Sequence, residues 1–183
     1  MHREHTGRRR NEAARQDILD AAAALIAEPG GAAVTVDAIA ARAGVGKQTI
    51  YRWWPSKYAV MLDALLERAR ADVVETGDGT LPGDLTAFLV SSFAGAERGR
   101  AFLATAAGLA QSDPAAREML EQFTRRRREA LRGLLERHGV PGPGLLVEQA
   151  YGVLWYRLMI SHEPLDRASA EGLAALLTRQ ADI

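Results

Sequence analysis

The sequence predicts an all-α chain of about nine helices, a small N-terminal helical unit followed by a larger helical body. Three observations lead there. Runs of four to eight residues alternating β-branched and polar character, which would mark strands, are absent from the sequence. Apolar residues recur instead at helical spacing through most of the chain. Proline, glycine and small polar residues break that periodicity at intervals suited to helices.

The first helix shows a face of Ala14, Ile18, Ala21, Ala22, Leu25 and Ile26, and it stops at Pro29-Gly30-Gly31. Thr35 offers an N-cap to a short helix over about 36–43, broken at Gly44. A second short helix over about 47–53 stops before Pro55, because proline disfavours helix in the residue it follows. Ser56 caps a longer helix with Val60, Met61, Ala64, Leu65 and Leu66 inside. Residues 76–83 form a loop by composition, and Asp84 starts the next helix, weakened at Gly95 and Gly99. Asp113-Pro114 is a strong start signal, a capping aspartate with proline at the first helical position. That helix should reach His138 and end at Gly139. The next runs from Leu145 to about Ser161 and is stopped by Pro164; the last spans about 168–181.

At 183 residues the chain can bury a core without disulfides. It has no cysteine, which excludes disulfide frameworks, zinc–thiolate and iron–sulfur sites and thiol catalysis. Arg8-Arg9-Arg10 is followed by no apolar segment of the signal-peptide kind. No apolar stretch approaches the roughly 18–20 residues of a membrane span, so a soluble, cytoplasmic protein without a membrane partner is expected. Net charge is zero, yet residues 1–60 hold nine Lys/Arg against six Asp/Glu, a net +3 balanced by −3 in the remainder. A basic head on an acidic body is the asymmetry to explain. The only two lysines, Lys47 and Lys57, both lie in the head.

Residues 35–57 are the most informative. Two short helices about a glycine turn make a helix-turn-helix unit. Ala40 is small enough for a close crossing, Gly44 gives the turn its backbone freedom, and Val45 and Ile50 can share a core with Ile39 and Ala43. Lys47, Gln48, Thr49, Tyr51 and Arg52 then remain exposed on the second helix, with no acid among them. Amide and guanidinium groups suit base edges, and Lys, Thr and Tyr suit phosphates. The same spacing would also suit an ordinary helix corner with a solvated polar face.

The segment resembles the N-terminal DNA-binding domain of the TetR family of bacterial transcriptional regulators. The matching residues are Thr-Val-x-x-Ile-Ala, Ala-Gly-Val, Thr-Ile-Tyr-Arg and Pro-Ser-Lys between Thr35 and Leu62, after the helix Ile18 to Ile26. The resemblance implies a three-helix DNA-binding domain with its arm over 1–56, and a ligand-sensing and dimerising domain over 57–183 with helix 57–75 as connector. It places Lys47, Gln48, Thr49, Tyr51, Arg52 and Trp53 on the recognition helix. Thr35 and Lys57 would hold phosphates at the N-termini of the second and fourth helices, where the helix dipole favours anions. Gly46 stands where the family often has serine, and Trp53-Trp54 replaces its usual His-Phe pair; Trp54 should take the buried role.

In the body, the helix from Leu145 has one apolar face of Val147, Ala150, Tyr151, Leu154 and Leu158. A second face, of Leu146, Val153, Tyr156 and Ile160, is roughly opposite. A helix apolar on both sides must be buried on both. The resemblance makes the second face the interface of a homodimer, which would bind a palindromic operator in double-stranded DNA. It also implies a cavity for a small hydrophobic or aromatic ligand, with Phe88, Phe102, Met119, Phe123, Trp155 and Met159 as lining and Arg127, Tyr151 or Arg157 as polar anchors. Those residues could equally fill the core.

On the wheel of residues 114–138, Ala116, Leu120, Phe123, Ala130 and Leu134 form the apolar stripe, so Arg125 and Arg128 point outward. Arg127 falls within the stripe, where a buried acid is the favoured partner over a ligand. His138 and His162, near helix ends, can satisfy terminal carbonyls and lack metal-ligand spacing. No cofactor motif, metal site or catalytic set is recognised. The expected function is a repressor released by a ligand. The alternatives are an activator, a ligand-independent regulator, or a helical binding or enzymatic bundle with a vestigial helix-turn-helix.

Overall fold

The computed structural model describes residues 4–28, 33–72 and 77–181, and among these it is helical with no strand. The helices are α1 (Glu4–Ala27), α2 (Val36–Ala43), α3 (Lys47–Tyr51), α4 (Lys57–Asp72), α5 (Leu81–Arg98), α6 (Arg100–Leu109), α7 (Pro114–Arg137), α8 (Gly144–Tyr156) and α9 (Arg167–Ala181). A π-helical turn, Arg157–Ser161, extends α8. The chain divides into two compact units, 1–67 and 68–183, with the boundary inside α4. The expected break at Pro29-Gly30-Gly31 and the end of the connector at 73–75 lie outside the described residues.

In the N-terminal unit α1 packs on α2 and α2 on α3, and its buried side chains are Ile18, Leu19, Ala22 and Ile26 of α1 with Ile39, Ala40, Ile50, Trp54 and the Val60, Met61 and Ala64 stripe of α4. Local chemistry sets the turn between α2 and α3. Thr35 Oγ1 accepts from the Ala38 amide at 3.2 Å and caps α2. Gly44 takes φ +66°, so its amide bonds the Ala41 carbonyl and Val45 the Ala40 carbonyl, two carbonyls the helix would otherwise leave open. Ser56 Oγ likewise accepts from the Ala59 amide at the start of α4. The second short helix ends at Tyr51 rather than 53, with Arg52 and Trp53 in a turn that buries Trp54.

Asp63 on α4 locks this unit. Its Oδ2 accepts from Arg15 of α1 at 2.8 Å and from the Trp54 indole N–H at 3.1 Å, while the Arg15 guanidinium lies 5.7 Å from the Trp54 ring centre. Asp63→Ala leaves an indole N–H and a guanidinium without their shared acceptor. It is expected to destabilise the chain by about 1–3 kcal/mol, read by chemical denaturation, and Asp63→Asn, which keeps an oxygen acceptor, should recover part of the loss.

In the C-terminal unit α5 packs along α9, and α7 and α8 close the core around Phe93, Phe102, Leu131, Leu135, Leu158 and Leu177. The start of α5 differs from the sequence reading. Thr80 is its N-cap, accepting from the Gly83 amide at 3.2 Å, and Pro82 lies in its first turn. Asp84 is instead inside the helix, where its carboxylate accepts from the Gly79 amide and meets His138 Nε2 at 2.8 Å. His138 therefore turns its ring to Asp84, although its backbone amide does close the end of α7. Gly95 leaves α5 unbroken; the chain breaks at Gly99. The start of α7 is as expected, Asp113 Oδ1 accepting from the Ala115 and Ala116 amides. Its apolar stripe drifts, though: Ala130 is exposed, and Leu131 and Leu135 are buried in its place. A small alanine suits either face, and the larger leucines beside it take the buried positions.

Residues 162–166 follow the π-helical turn and are held by a charged pair. The Arg100 guanidinium donates to the carbonyls of Arg157 at 3.0 Å and Glu163 at 2.8 Å, and it pairs with Glu97 at 2.7 Å. Glu97 Oε2 accepts in turn from the Leu165 amide at 2.9 Å. Both contacts on the Glu97 carboxylate, first the Arg100 hydrogen bond, hold it below the usual carboxylate range.

Candidate functional site

The exposed surface of α3 presents Lys47, Gln48 and Tyr51, with Thr49 half-buried; Arg52 and Trp53 follow in the turn, also exposed. Ile50 anchors the helix by burying completely. Gly46 at its N-cap contributes no side-chain bond, so the helix depends on that anchor and on the turn before it.

The two lysines converge on the start of α2. Lys47 forms an ion pair with Asp37 in the first turn of α2. That contact holds the ammonium's pKa above its usual value. Lys57, at the start of α4, donates to the Val34 carbonyl at 3.2 Å, and its ammonium lies 5.1 Å from the Tyr58 ring centre. Val34 immediately precedes the capping Thr35, whose hydroxyl proton stays available while its oxygen accepts from Ala38. Two ammonium groups and a hydroxyl therefore lie about the N-terminus of α2, the positive end of its helix dipole. The acid-free face read from the sequence needs one correction. Asp37 reaches it from α2, because an acid in a helix's first turn is favoured by the dipole and also lies within reach of Lys47.

In the body, Phe88 and Phe102 are buried, and Met119, Phe123, Trp155 and Met159 are half-buried. Arg157 is engaged elsewhere, donating to the Pro164 carbonyl and Ser169 Oγ and pairing with Glu163 at 3.2 Å, so it secures the 162–166 segment. Arg127 also departs from expectation. Among the described residues its partner is Ser92 Oγ at 2.6 Å rather than an acid, with its guanidinium 5.2 Å from the centre of the Phe88 ring. The Tyr151 hydroxyl is buried beside this pair, near enough for Arg127 and Ser92 both to favour its ionised form, though it closes no well-formed hydrogen bond. Burial pushes the phenol above its usual value, and the Arg127 charge opposes that rise. The sequence reading did not single out Ser92; a serine between Leu89 and Phe93 on an inward face was the available signal.

On α8, Val147, Ala150, Leu154 and Leu158 are buried, while Leu146 and Val153 are half-buried. Tyr156 and Ile160 are 56% and 67% exposed, joined by Leu145 on α8 and Leu176 on α9. A β-carbon at Gly152 would meet nothing within 4 Å.

A short donor-rich helix exposed after a glycine turn, beside the two lysines that meet the start of α2, has the geometry of a DNA-binding helix-turn-helix. Residues 18–64 match the model of bacterial regulatory proteins of the tetR family, and residues 75–177 match a tetracyclin repressor-like C-terminal domain. The uncharacterized HTH-type transcriptional regulator YdeS of Bacillus subtilis is 35% identical over 175 residues, covering 87% of this chain and 85% of YdeS. AqdR of Rhodococcus erythropolis, an HTH-type transcriptional regulator, is 36% identical over 88 residues, 46% of this chain and 42% of AqdR. Among solved structures, the TetR family regulator SCO0332 superposes with a TM-score of 0.73 at 31% identity, covering 90% of this chain and 97% of its own. The chain belongs to the TetR family of bacterial transcriptional regulators, which are not enzymes. No helix among the described residues is long and apolar enough to cross a membrane.

Proposed function

We propose that this regulator is a cytoplasmic homodimeric repressor that binds a near-palindromic operator through α3 and is released by a small molecule bound in its body. The observation that supports DNA reading most is the convergence of Lys47, Lys57 and Thr35 beside the exposed α3. In this reading Gln48 contacts a base edge; Thr49, Arg52 and Trp53 line the same groove, and Lys47, Lys57, Tyr51 and Thr35 hold phosphates. Residues 1–56 form the DNA-binding domain, α4 the connector, and the rest the sensing and dimerising domain.

The apolar face of Leu146, Val153, Tyr156 and Ile160 supports a dimer, because exposed aromatic and aliphatic side chains in one patch mark a surface that another chain covers. A two-fold dimer places its two recognition helices about one DNA turn apart, roughly 34–36 Å, or further on deformed DNA. A ligand that binds the DNA-incompetent arrangement better by about 1–3 kcal/mol would shift operator occupancy usefully. Phe88, Phe102, Met119, Phe123, Trp155 and Met159 would supply apolar lining, with Arg127 and Tyr151 as anchors.

The test is selection of bound fragments from a genomic duplex pool, then footprinting of the recovered sites. Two inverted half-sites protected by two chains are expected. Fragments sharing no sequence, or a single unrepeated half-site, would contradict the reading.

A further inference from the structure

We infer that the body holds an anion site built on Arg127, Tyr151 and Ser92, and that its ligand is a small carboxylic acid with an apolar or aromatic body. The inference rests on the reading that the chain answers to a small molecule, and it names that molecule's chemistry.

A half-buried guanidinium on the inward stripe of α7 would ordinarily be matched by a carboxylate. Arg127 is not. Among the described residues no acid lies within ion-pair distance of it; of its five N–H donors one reaches Ser92 Oγ, and its face lies against Phe88. The adjacent Arg128 is already paired, with Glu148 at 3.6 Å. The charges acting on Tyr151 are those of Arg127 and Arg128, both positive. Beside Arg127, the Tyr151 hydroxyl is buried within the influence of Arg127 and Ser92 but closes no well-formed hydrogen bond.

A cation without an acid and a buried hydroxyl with hydrogen-bonding capacity to spare, at one place, suit an anion with acceptor oxygens. A carboxylate meets both needs. Its two oxygens suit the guanidinium fork and keep lone pairs for the phenol and serine protons. One guanidinium flanked by neutral hydroxyls balances a single negative charge, which favours a carboxylate over a phosphate dianion.

The rest of the ligand follows from helical spacing. Phe88 stands one turn from Ser92, Phe123 one turn from Arg127, and Trp155 one turn from Tyr151, so each anchor shares its helix face with an aromatic ring. The carboxylate would thus be attached to an apolar or aromatic group.

The experiment uses the full chain and matched pairs of compounds, phenylacetate against phenylacetamide and octanoate against octanol. Calorimetry and thermal shift are the readouts, with release of a selected DNA duplex alongside. The acids are expected to bind roughly 10- to 100-fold more tightly than their neutral partners, the span of one to two charge-assisted hydrogen bonds. Arg127→Gln should abolish that preference, Arg127→Lys should keep part of it, and Tyr151→Phe should reduce it. Without ligand, Arg127→Met should melt at the parent's temperature or above, since it removes an unmatched charge. Neutral compounds binding as well as acids, an undiminished preference in Arg127→Gln, or a markedly lower melting temperature for Arg127→Met would each overturn the anion site. If neutral compounds bind and release DNA with no advantage to acids, the ligand-response reading survives and only the anion site falls. If nothing in a wider panel of acids and neutral compounds binds or releases DNA, both fall.

Discussion

Ile160→Glu is expected to convert the protein to a folded monomer and to weaken binding to its selected duplex by about 100-fold or more, the usual advantage of two linked contacts over one. Ile160 is 67% exposed in the single chain, so a carboxylate there costs the monomer little. In a dimer interface the same carboxylate would be desolvated without a partner. Val153→Glu, at a half-buried position of the same face, should do the same with some added loss of monomer stability. Light scattering at micromolar concentration, circular dichroism and fluorescence anisotropy with labelled duplex separate these effects. An unmutated protein that is already monomeric, or a dimeric variant with the parent's DNA affinity, would remove α8 from the interface.

The second large effect divides the DNA contacts by kind. Gln48→Ala should relax preference at one or two base pairs, costing about 1–3 kcal/mol on the selected duplex and little on a random one. Lys57→Ala should weaken binding to every duplex and reduce the slope of log K against log salt by about one unit. The geometry adds a contrast for Lys47. Asp37 holds its ammonium in place, so Asp37→Asn should strengthen binding to all duplexes by removing a competitor for that charge. Equal binding by parent, Gln48→Ala and Lys57→Ala to both duplexes would show that α3 and the start of α4 do not read DNA.

The parts of this molecule legible in the sequence are those decided by a few adjacent residues. Thr35, Gly44 and Asp113 act on amides and carbonyls within a few positions, so their roles could be read directly. The buried role of Ile50 followed from apolar spacing, and that of Trp54 from the family resemblance. At the start of α5 the local signals competed: Thr80, Pro82 and Asp84 each suit a helix entrance, and tertiary pairing with His138 engaged the aspartate. The contacts that sequence did not reveal join distant positions. Asp63 with Arg15, Arg127 with Ser92, and Arg100 with the 162–166 segment depend on which helix faces meet. The stripe on α7 misassigned Ala130 for a related reason, since a small alanine suits either face and only packing decides.

Sequence-specific duplex recognition by α3, with Lys47, Lys57 and Thr35 on the phosphates, is the function on which the other expectations depend. The most direct measurement is the affinity of the unmutated protein for its selected duplex and for a scrambled one across a salt series. A steep fall of log K with log salt on both duplexes, and a preference of about 10³-fold or more for the selected one, is the result this account requires. Affinities that match on the two duplexes and barely respond to salt would contradict it.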